Sequence, residues 1–376
     1  MKKILITFLF TVIYVYSSLS VNANTEIIED GQSSILIEMT TGKILYQKNA
    51  QEMRAPASMT KVMTMILILE AIENGQFSFD DLQTISENAA SLGGSQIYLE
   101  AGEVMTVRDL FKSVAISSAN DAATALAEKV AGSEKVFVDL MNQKVKELGL
   151  SSTQFKDPTG LSDEGHYTSA YDMAIMAQYL LTTYPYVTEY TNTYEDYVRD
   201  GDFWLVNTNK LVRNDDIDGV KTGWTEAAGY CLTATKFSDS MRVIGVIMGS
   251  TNTKIRNAEM QTLLNYGMSN FNLTQKMEEG SIVKSETNIN LEPTELNYRI
   301  KYPVNIVLRN GTEMEEVKYK IDINYDNLTS NKDIGNLSVF YNNEIYQVIP
   351  LYLEEEVEKT SYFGLLKKVL KLMLAV

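Results

Sequence analysis

Short apolar runs bounded by polar residues, Ser33 to Glu38 and Lys43 to Gln47, are β-like, and the turn Thr40-Thr41-Gly42 between them predicts a β-hairpin. The pattern then changes. VMTMILILEA (Val62 to Ala71) is apolar almost throughout, so a helix from Ser58 to Asn74, stopped by Gly75, has no solvent face. Helical spacing returns over Val107 to Gly132, interrupted around Ser117-Ser118-Ala119-Asn120, and over Asp172 to Leu181. Strand patterns follow at Gly219 to Thr222, Tyr230 to Lys236 and Arg242 to Met248, and Arg256 to Asn270 closes the region as an amphipathic helix. Strands from both ends of this stretch with helices between them predict an α/β domain over residues 24–272, one antiparallel sheet flanked by helices. After about Leu273 the composition shifts and Ile289 to Tyr352 alternates apolar and polar residues, with Asn310-Gly311 expected as a hairpin turn, so residues 273–355 read as a small all-β sandwich.

The two termini carry patterns of their own. Lys2 and Lys3 precede an apolar stretch from Ile4 to about Leu19, and Val21-Asn22-Ala23 offers the small-residue pattern of a cleavage site, so residues 1–23 read as an export signal. Residues 356–376 read as a helical tail. At about 100° per residue, Leu365, Leu366, Val369, Leu372, Met373 and Val376 fall on one face, with Lys367, Lys368 and Lys371 opposite. The tail is too short and too charged to span a bilayer, which needs about 20 apolar residues. It suits a helix lying in the membrane interface, with its lysines toward anionic headgroups.

Composition narrows the chemistry. The net charge of −16 over 376 residues argues against a nucleic-acid partner. A single cysteine, Cys231, forbids an intrachain disulfide, and a single histidine, His166, rules out a histidine-rich metal site. Any Ser-His-Asp scheme would have to run through His166, whose loop setting reads as structural. No metal or organic cofactor is expected.

Against that background Ser58 and Lys61 stand out at the front of the apolar helix. Three residues apart on a helix, they share a face. Burial strips the ammonium of hydration and lowers its pKa, and a neutral amine beside a hydroxyl is a general base for a serine nucleophile. The free N–H groups of the same helix start provide half of an oxyanion site. Taken singly such motifs are cheap: S-x-x-K recurs at Ser281 to Lys284, and S-x-N at Ser86 and Ser250. K-T-G, however, occurs once, at Lys221-Thr222-Gly223. Order and context carry the weight here: serine at a helix start, S-A-N in a helix-breaking loop, K-T-G on a strand.

With these motifs the chain resembles the low-molecular-weight penicillin-binding proteins, serine-type D-alanyl-D-alanine carboxypeptidases, over about Asn24 to Val376. Phe155-Lys156-Asp157-Pro158-Thr159-Gly160-Leu161, His166-Tyr167-Thr168-Ser169 and Ala228-Gly229-Tyr230-Cys231-Leu232 are similar to stretches of the same family. The resemblance implies a penicillin-binding/β-lactamase-like fold, peptidoglycan stem peptides as substrate and β-lactam antibiotics as inhibitors. It implies Ser58 as the acylated nucleophile, Lys61 as its base and Ser118 as a proton relay. Asn120 would hold the substrate amide. Lys221 would add positive potential, Thr222 would bind the carboxylate of the terminal D-alanine, Gly223 would belong to the same substrate-binding strand, and the backbone N–H of Trp224 would be the second oxyanion donor. Arg256 matches by position a basic residue near that carboxylate; the alternative is an exposed helix arginine. A class A β-lactamase would need an E-x-x-L-N segment between S-x-N and K-T-G, and Asp121 to Val220 contains none. A non-catalytic penicillin sensor would need transmembrane helices, and no span follows residue 23. A D,D-endopeptidase acting on cross-links is the nearest alternative.

Overall fold

A computed structural model describes residues 26–162, 164–214, 216–238, 241–311, 317–330, 334–341 and 343–374. The expected export signal, residues 1–23, lies outside them. The chain divides into two compact units, one of them Glu26–Leu273 and the other built from Thr274 onward.

In the first unit β1 (Ser33–Glu38) and β2 (Ile44–Lys48) form the expected hairpin, followed by the helix α1 (Lys61–Glu73). A small ribbon of β3 (Leu82–Thr84) and β4 (Val104–Thr106) encloses the short α2 (Glu87–Ala90). The helices α3 (Val107–Ala115), α4 (Asn120–Ala131), α5 (Glu134–Glu147), α6 (Ala170–Thr183) and α7 (Thr188–Thr191) follow. Next come a hairpin of β5 (Glu195–Val198) and β6 (Phe203–Val206), the strands β7 (Ile217–Thr225), β8 (Gly229–Ser238) and β9 (Met241–Ser250), and the helix α8 (Thr253–Asn270). The main sheet is antiparallel in the order β2-β1-β9-β8-β7.

This sheet is buried on both faces, and the period of two along each strand assigns the faces. Ile35, Ile37, Ile244, Val246 and Met248 join α1, α3, α4 and α6 in one large core. The alternate residues serve α8. A β-carbon on Gly245 would lie 2.8 Å from Met260 Sδ, and one on Gly267 would lie 2.7 Å from Leu36 Cδ2. The sheet and α8 are therefore in van der Waals contact at two glycines.

Sequence periodicity overlooked α5. Its apolar positions Phe137, Met141 and Val145 are buried at helical spacing, but charged residues crowd both ends of the window and Val136 is exposed, which blurs the apolar stripe. The interruption around Ser117 to Asn120 is real: α3 ends at Ala115, α4 begins at Asn120, and Ser118 has φ +65°.

The second unit contains a two-stranded sheet of β10 (Phe271–Met277) with β14 (Val304–Arg309). A five-stranded sheet has the order β11 (Ile282–Thr287), β13 (Glu295–Ile300), β17 (Glu344–Leu353), β16 (Gly335–Tyr341), β15 (Lys318–Ile323). Tyr298, Ile300, Val304, Ile306, Leu337, Val339 and Ile349 fill its core. The hairpin expected at Asn310-Gly311 is not formed among the described residues, because β14 pairs with β10 and β15 pairs with β16. Gly311 takes a turn conformation at φ +77°, but the buried side chains of β14 fix that strand's pairing elsewhere. A short ladder of β12 (Leu291–Glu292) with β18 (Glu358–Lys359) leads into the tail helix α9 (Tyr362–Leu374). Tyr362, Phe363, Leu366, Val369, Leu370 and Met373 are exposed on α9. Lys368 does not point away with the other lysines. It pairs with Glu292 at 2.6 Å and donates to Leu291 O at 2.7 Å and Thr360 Oγ1 at 3.0 Å.

Candidate active site

The chain enters α1 through one turn of 3₁₀ helix, Ala57–Thr60, and not as a continuous α-helix from Ser58. Ala57 is left-handed at φ +47°, an uncommon conformation for a residue with a β-carbon, and it stands directly before Ser58. Lys61 is fully buried at the first position of α1. Its Nζ donates to Ser58 Oγ at 3.0 Å, to Asn120 Oδ1 at 2.7 Å and to Thr159 O at 2.9 Å. Burial lowers its pKa to about 7, against the opposing pull of Asp157 and Asp121. Near neutrality this amine is available as a base.

The S-A-N loop meets the same amine. Asn120 Oδ1 accepts from Lys61, and Asn120 Nδ2 donates to Gly93 O at 2.7 Å. Ser118 Oγ is buried with no hydrogen-bond partner among the described residues. Asp121, next in sequence, accepts from Ile97 N at 3.1 Å and Leu99 N at 3.1 Å, and so fixes the loop that holds Asn120.

K-T-G lies on β7, the edge strand beside the 3₁₀ turn. Gly223 is required there by contact, since a β-carbon would lie 2.6 Å from Pro56 O and 3.2 Å from Met59 N. Trp224 follows, exposed at the rim. Thr222 Oγ1 donates to Thr208 Oγ1 at 2.7 Å. Lys221 is buried, with Nζ 3.2 Å from Thr222 O, and its pKa falls well below the ordinary lysine value through burial and the positive charges of Lys61 and Arg256. Arg256 is buried on α8, not exposed. It donates to Cys231 O at 3.2 Å and to Asn257 Oδ1, and burial draws its pKa down to about 10. Cys231 is packed in β8, and burial pushes its thiol up to about 11.

Several residues with a part in this geometry had no role assigned from sequence. Asp157 Oδ1 accepts from Thr159 N, Thr159 Oγ1 and Gly160 N, each at 2.6 Å, and Oδ2 accepts from Ser162 N at 2.7 Å. Burial alone would raise this carboxyl. The His166 ring and the hydrogen bonds from Ser162 and Thr159 instead hold it well below the usual carboxylate range. The resulting loop presents Thr159 O to Lys61. The D-P-T-G order is itself an Asx-turn signature and could have announced this. His166 is buried behind the loop, with Nε2 2.8 Å from Thr60 Oγ1. Thr208 carries no such signal, because the fold alone brings it to Thr222.

Residues 20–252 match the peptidase S11 family, described as D-alanyl-D-alanine carboxypeptidase. The chain is 43% identical over 352 residues to the D-alanyl-D-alanine carboxypeptidase DacF of Bacillus subtilis, covering 92% of this chain and 90% of that one. Among solved structures it is similar to penicillin binding protein 5 of Haemophilus influenzae, with TM-score 0.76, 28% identity, and coverage of 88% of this chain and 98% of that one. It is also similar to penicillin-binding protein D2 of Listeria monocytogenes in its ampicillin-bound form, with TM-score 0.59, 30% identity, and coverage of 64% and 98%. A serine–lysine pair under S-A-N and K-T-G, on a fold shared with such proteins, leaves one conclusion: the chain belongs to the peptidase S11 family of D-alanyl-D-alanine carboxypeptidases.

Proposed function

We propose that this carboxypeptidase removes the terminal D-alanine of peptidoglycan stem pentapeptides through an ester on Ser58. The observation that carries the reading is the Lys61 amine, 3.0 Å from Ser58 Oγ with its pKa lowered to about 7 by burial. Neutral Lys61 takes the hydroxyl proton as Ser58 Oγ attacks the carbonyl of the penultimate D-alanine. The backbone N–H groups of Ser58 and Trp224 stabilise the oxyanion. The proton then passes through Ser118 to the leaving amine, which departs as free D-alanine, and water hydrolyses the ester. Asn120 steadies Lys61 and the substrate amide. Thr222, already paired with Thr208, receives the terminal carboxylate in the positive field of Lys221 and Arg256.

A β-lactam presents a strained amide to the same serine, as befits a chain similar to a penicillin-binding protein solved with ampicillin. Labelled penicillin should therefore form one stable ester, lost in Ser58→Ala and retained in Ser281→Ala, the other S-x-x-K serine. Labelling that survives Ser58→Ala would overturn the assignment. In this reading residues 1–23 direct export, and residues 356–376 hold the enzyme at the outer face of the cytoplasmic membrane. Support for the tether is the row of exposed apolar side chains on α9. No helix among the described residues is long and apolar enough to cross a membrane.

A further inference from the structure

The hairpin of β5 and β6 turns two large aromatic side chains to solvent. Tyr197 and Trp204 are directly opposed in its antiparallel register, and each is 54% exposed. The other face of the hairpin buries Val198 and Leu205, so alternation has already satisfied the core and the outward aromatics are surplus to it. Next to the hairpin Tyr98 is 68% exposed, its ring 6.4 Å from that of Phe203, which lies on the inward side with Val198. Grouped exposed aromatics with polar neighbours mark binding surfaces.

This surface is braced. Arg199 crosses from the hairpin to the 97–103 loop, with Nε 2.7 Å from Glu103 Oε1 and Nη1 2.8 Å from Ile97 O. Tyr98, Arg199 and Asp200 all hold left-handed backbone, at φ +59°, +55° and +54°. Such strain in residues with β-carbons clusters at ligand sites. The surface is also continuous with the site, since β6 runs through Asn207 into Thr208, whose hydroxyl accepts from Thr222 and whose N–H donates to Ile116 O at 3.2 Å. Thr208 lies four positions after Trp204, on the order of 13 Å along an extended chain.

We propose that the Tyr197–Trp204 face is a subsite for the glycan strand from which the stem peptide hangs. Sugar rings present apolar C–H faces to aromatic rings. The exposed carboxylates of Glu195, Asp200 and Asp202 accept from sugar hydroxyl and acetamido N–H groups. Charge selects this occupant: an acidic patch on a chain of net charge −16 repels an anionic polymer and tolerates a neutral N-acetylated one. The proposal rests on peptidoglycan being the substrate, and deepens that reading by assigning recognition to the polymer as well as to the peptide end.

The test compares wild type with the Tyr197→Ala/Trp204→Ala double variant on free pentapeptide and on pentapeptide still linked to glycan oligomers. Labelled-penicillin acylation serves as the check on folding. Penicillin acylation and kcat/KM on free pentapeptide should stay within about twofold of wild type, while kcat/KM on the glycan-linked substrate falls about tenfold, mainly through KM. An unchanged value on glycan-linked substrate overturns the subsite. So does an equal fall on both substrates, which would make the hairpin part of the peptide site, or a loss of penicillin acylation, which would make it structural. A wild type inactive on both substrates contradicts the peptidase reading instead. Co-sedimentation with peptide-free glycan then decides the subsite: retention lost in the double variant supports it, and no retention of wild type overturns it.

Discussion

Lys61 sits where its ammonium is poorly solvated, and the nearest carboxylates, Asp157 and Asp121, offset only part of that cost. Lys221, buried nearby, is pushed in the same direction by burial and by the positive charges of Lys61 and Arg256. The sign of the pH effect follows. As pH rises through about 7 the amine loses its proton and becomes a base, so the rate of Ser58 acylation should rise through that range and then level off. Stopped-flow acylation by a penicillin reads this limb. In Asp157→Asn the limb should move to lower pH, because the negative charge that raises the amine's pKa is gone. Lys61→Arg, which stays charged, should lose acylation by about 10²–10⁴-fold at every pH. A rate independent of pH between 5 and 8 would contradict the assignment of Lys61 as base.

At the scale of elements, the nucleophile turn is held by the loop of residues 157–162. Gly160 has φ +88°, and a β-carbon there would lie 1.8 Å from Ala57 O, inside the turn that aims Ser58. Gly160→Ala should slow acylation by about 100-fold or more, the scale of a displacement near 1 Å at a reacting centre. Gly102→Ala makes the control, since Gly102 has φ +85° but open space around it, and its acylation should stay within about twofold. Equal effects of the two changes would show that backbone strain, not the contact with Ala57, is what matters. Motif order was enough to expect Ser58, Lys61, Asn120 and K-T-G together, because each motif sits at the boundary of a strongly patterned element. The loop resembles its family counterpart, but its role is not legible in the sequence, since Asp157 acts through hydrogen bonds to backbone that hydropathy does not record. Thr208 and the burial of Arg256 depend on how β6, β7 and α8 meet in space. The Asn310-Gly311 turn misled for a related reason: turn chemistry is local, whereas the pairing of β14 with β10 is set by side chains far away in sequence.

For the molecule as a whole, the proposed tether by the tail would set where the chemistry takes place. One lysine of α9 is engaged by Glu292, while Tyr362, Phe363, Leu366, Leu370 and Met373 remain in solvent, which suits a helix docked at one point and free to lay its greasy face on a lipid surface. Protein starting after residue 23 should sediment with anionic vesicles. A version ending at Thr360, which keeps the β12–β18 ladder, should stay in solution with penicillin acylation unchanged. Equal sedimentation of the two would remove the tail as the tether. The central claim, a serine–lysine enzyme that trims the ends of stem peptides, is tested most directly by mass spectrometry of muropeptides incubated with wild type and with Ser58→Ala. Wild type should convert pentapeptides to tetrapeptides with release of one D-alanine and leave cross-links whole, and Ser58→Ala should do neither. Release of D-alanine by Ser58→Ala, or cleavage of cross-links with pentapeptide ends left intact, would contradict it.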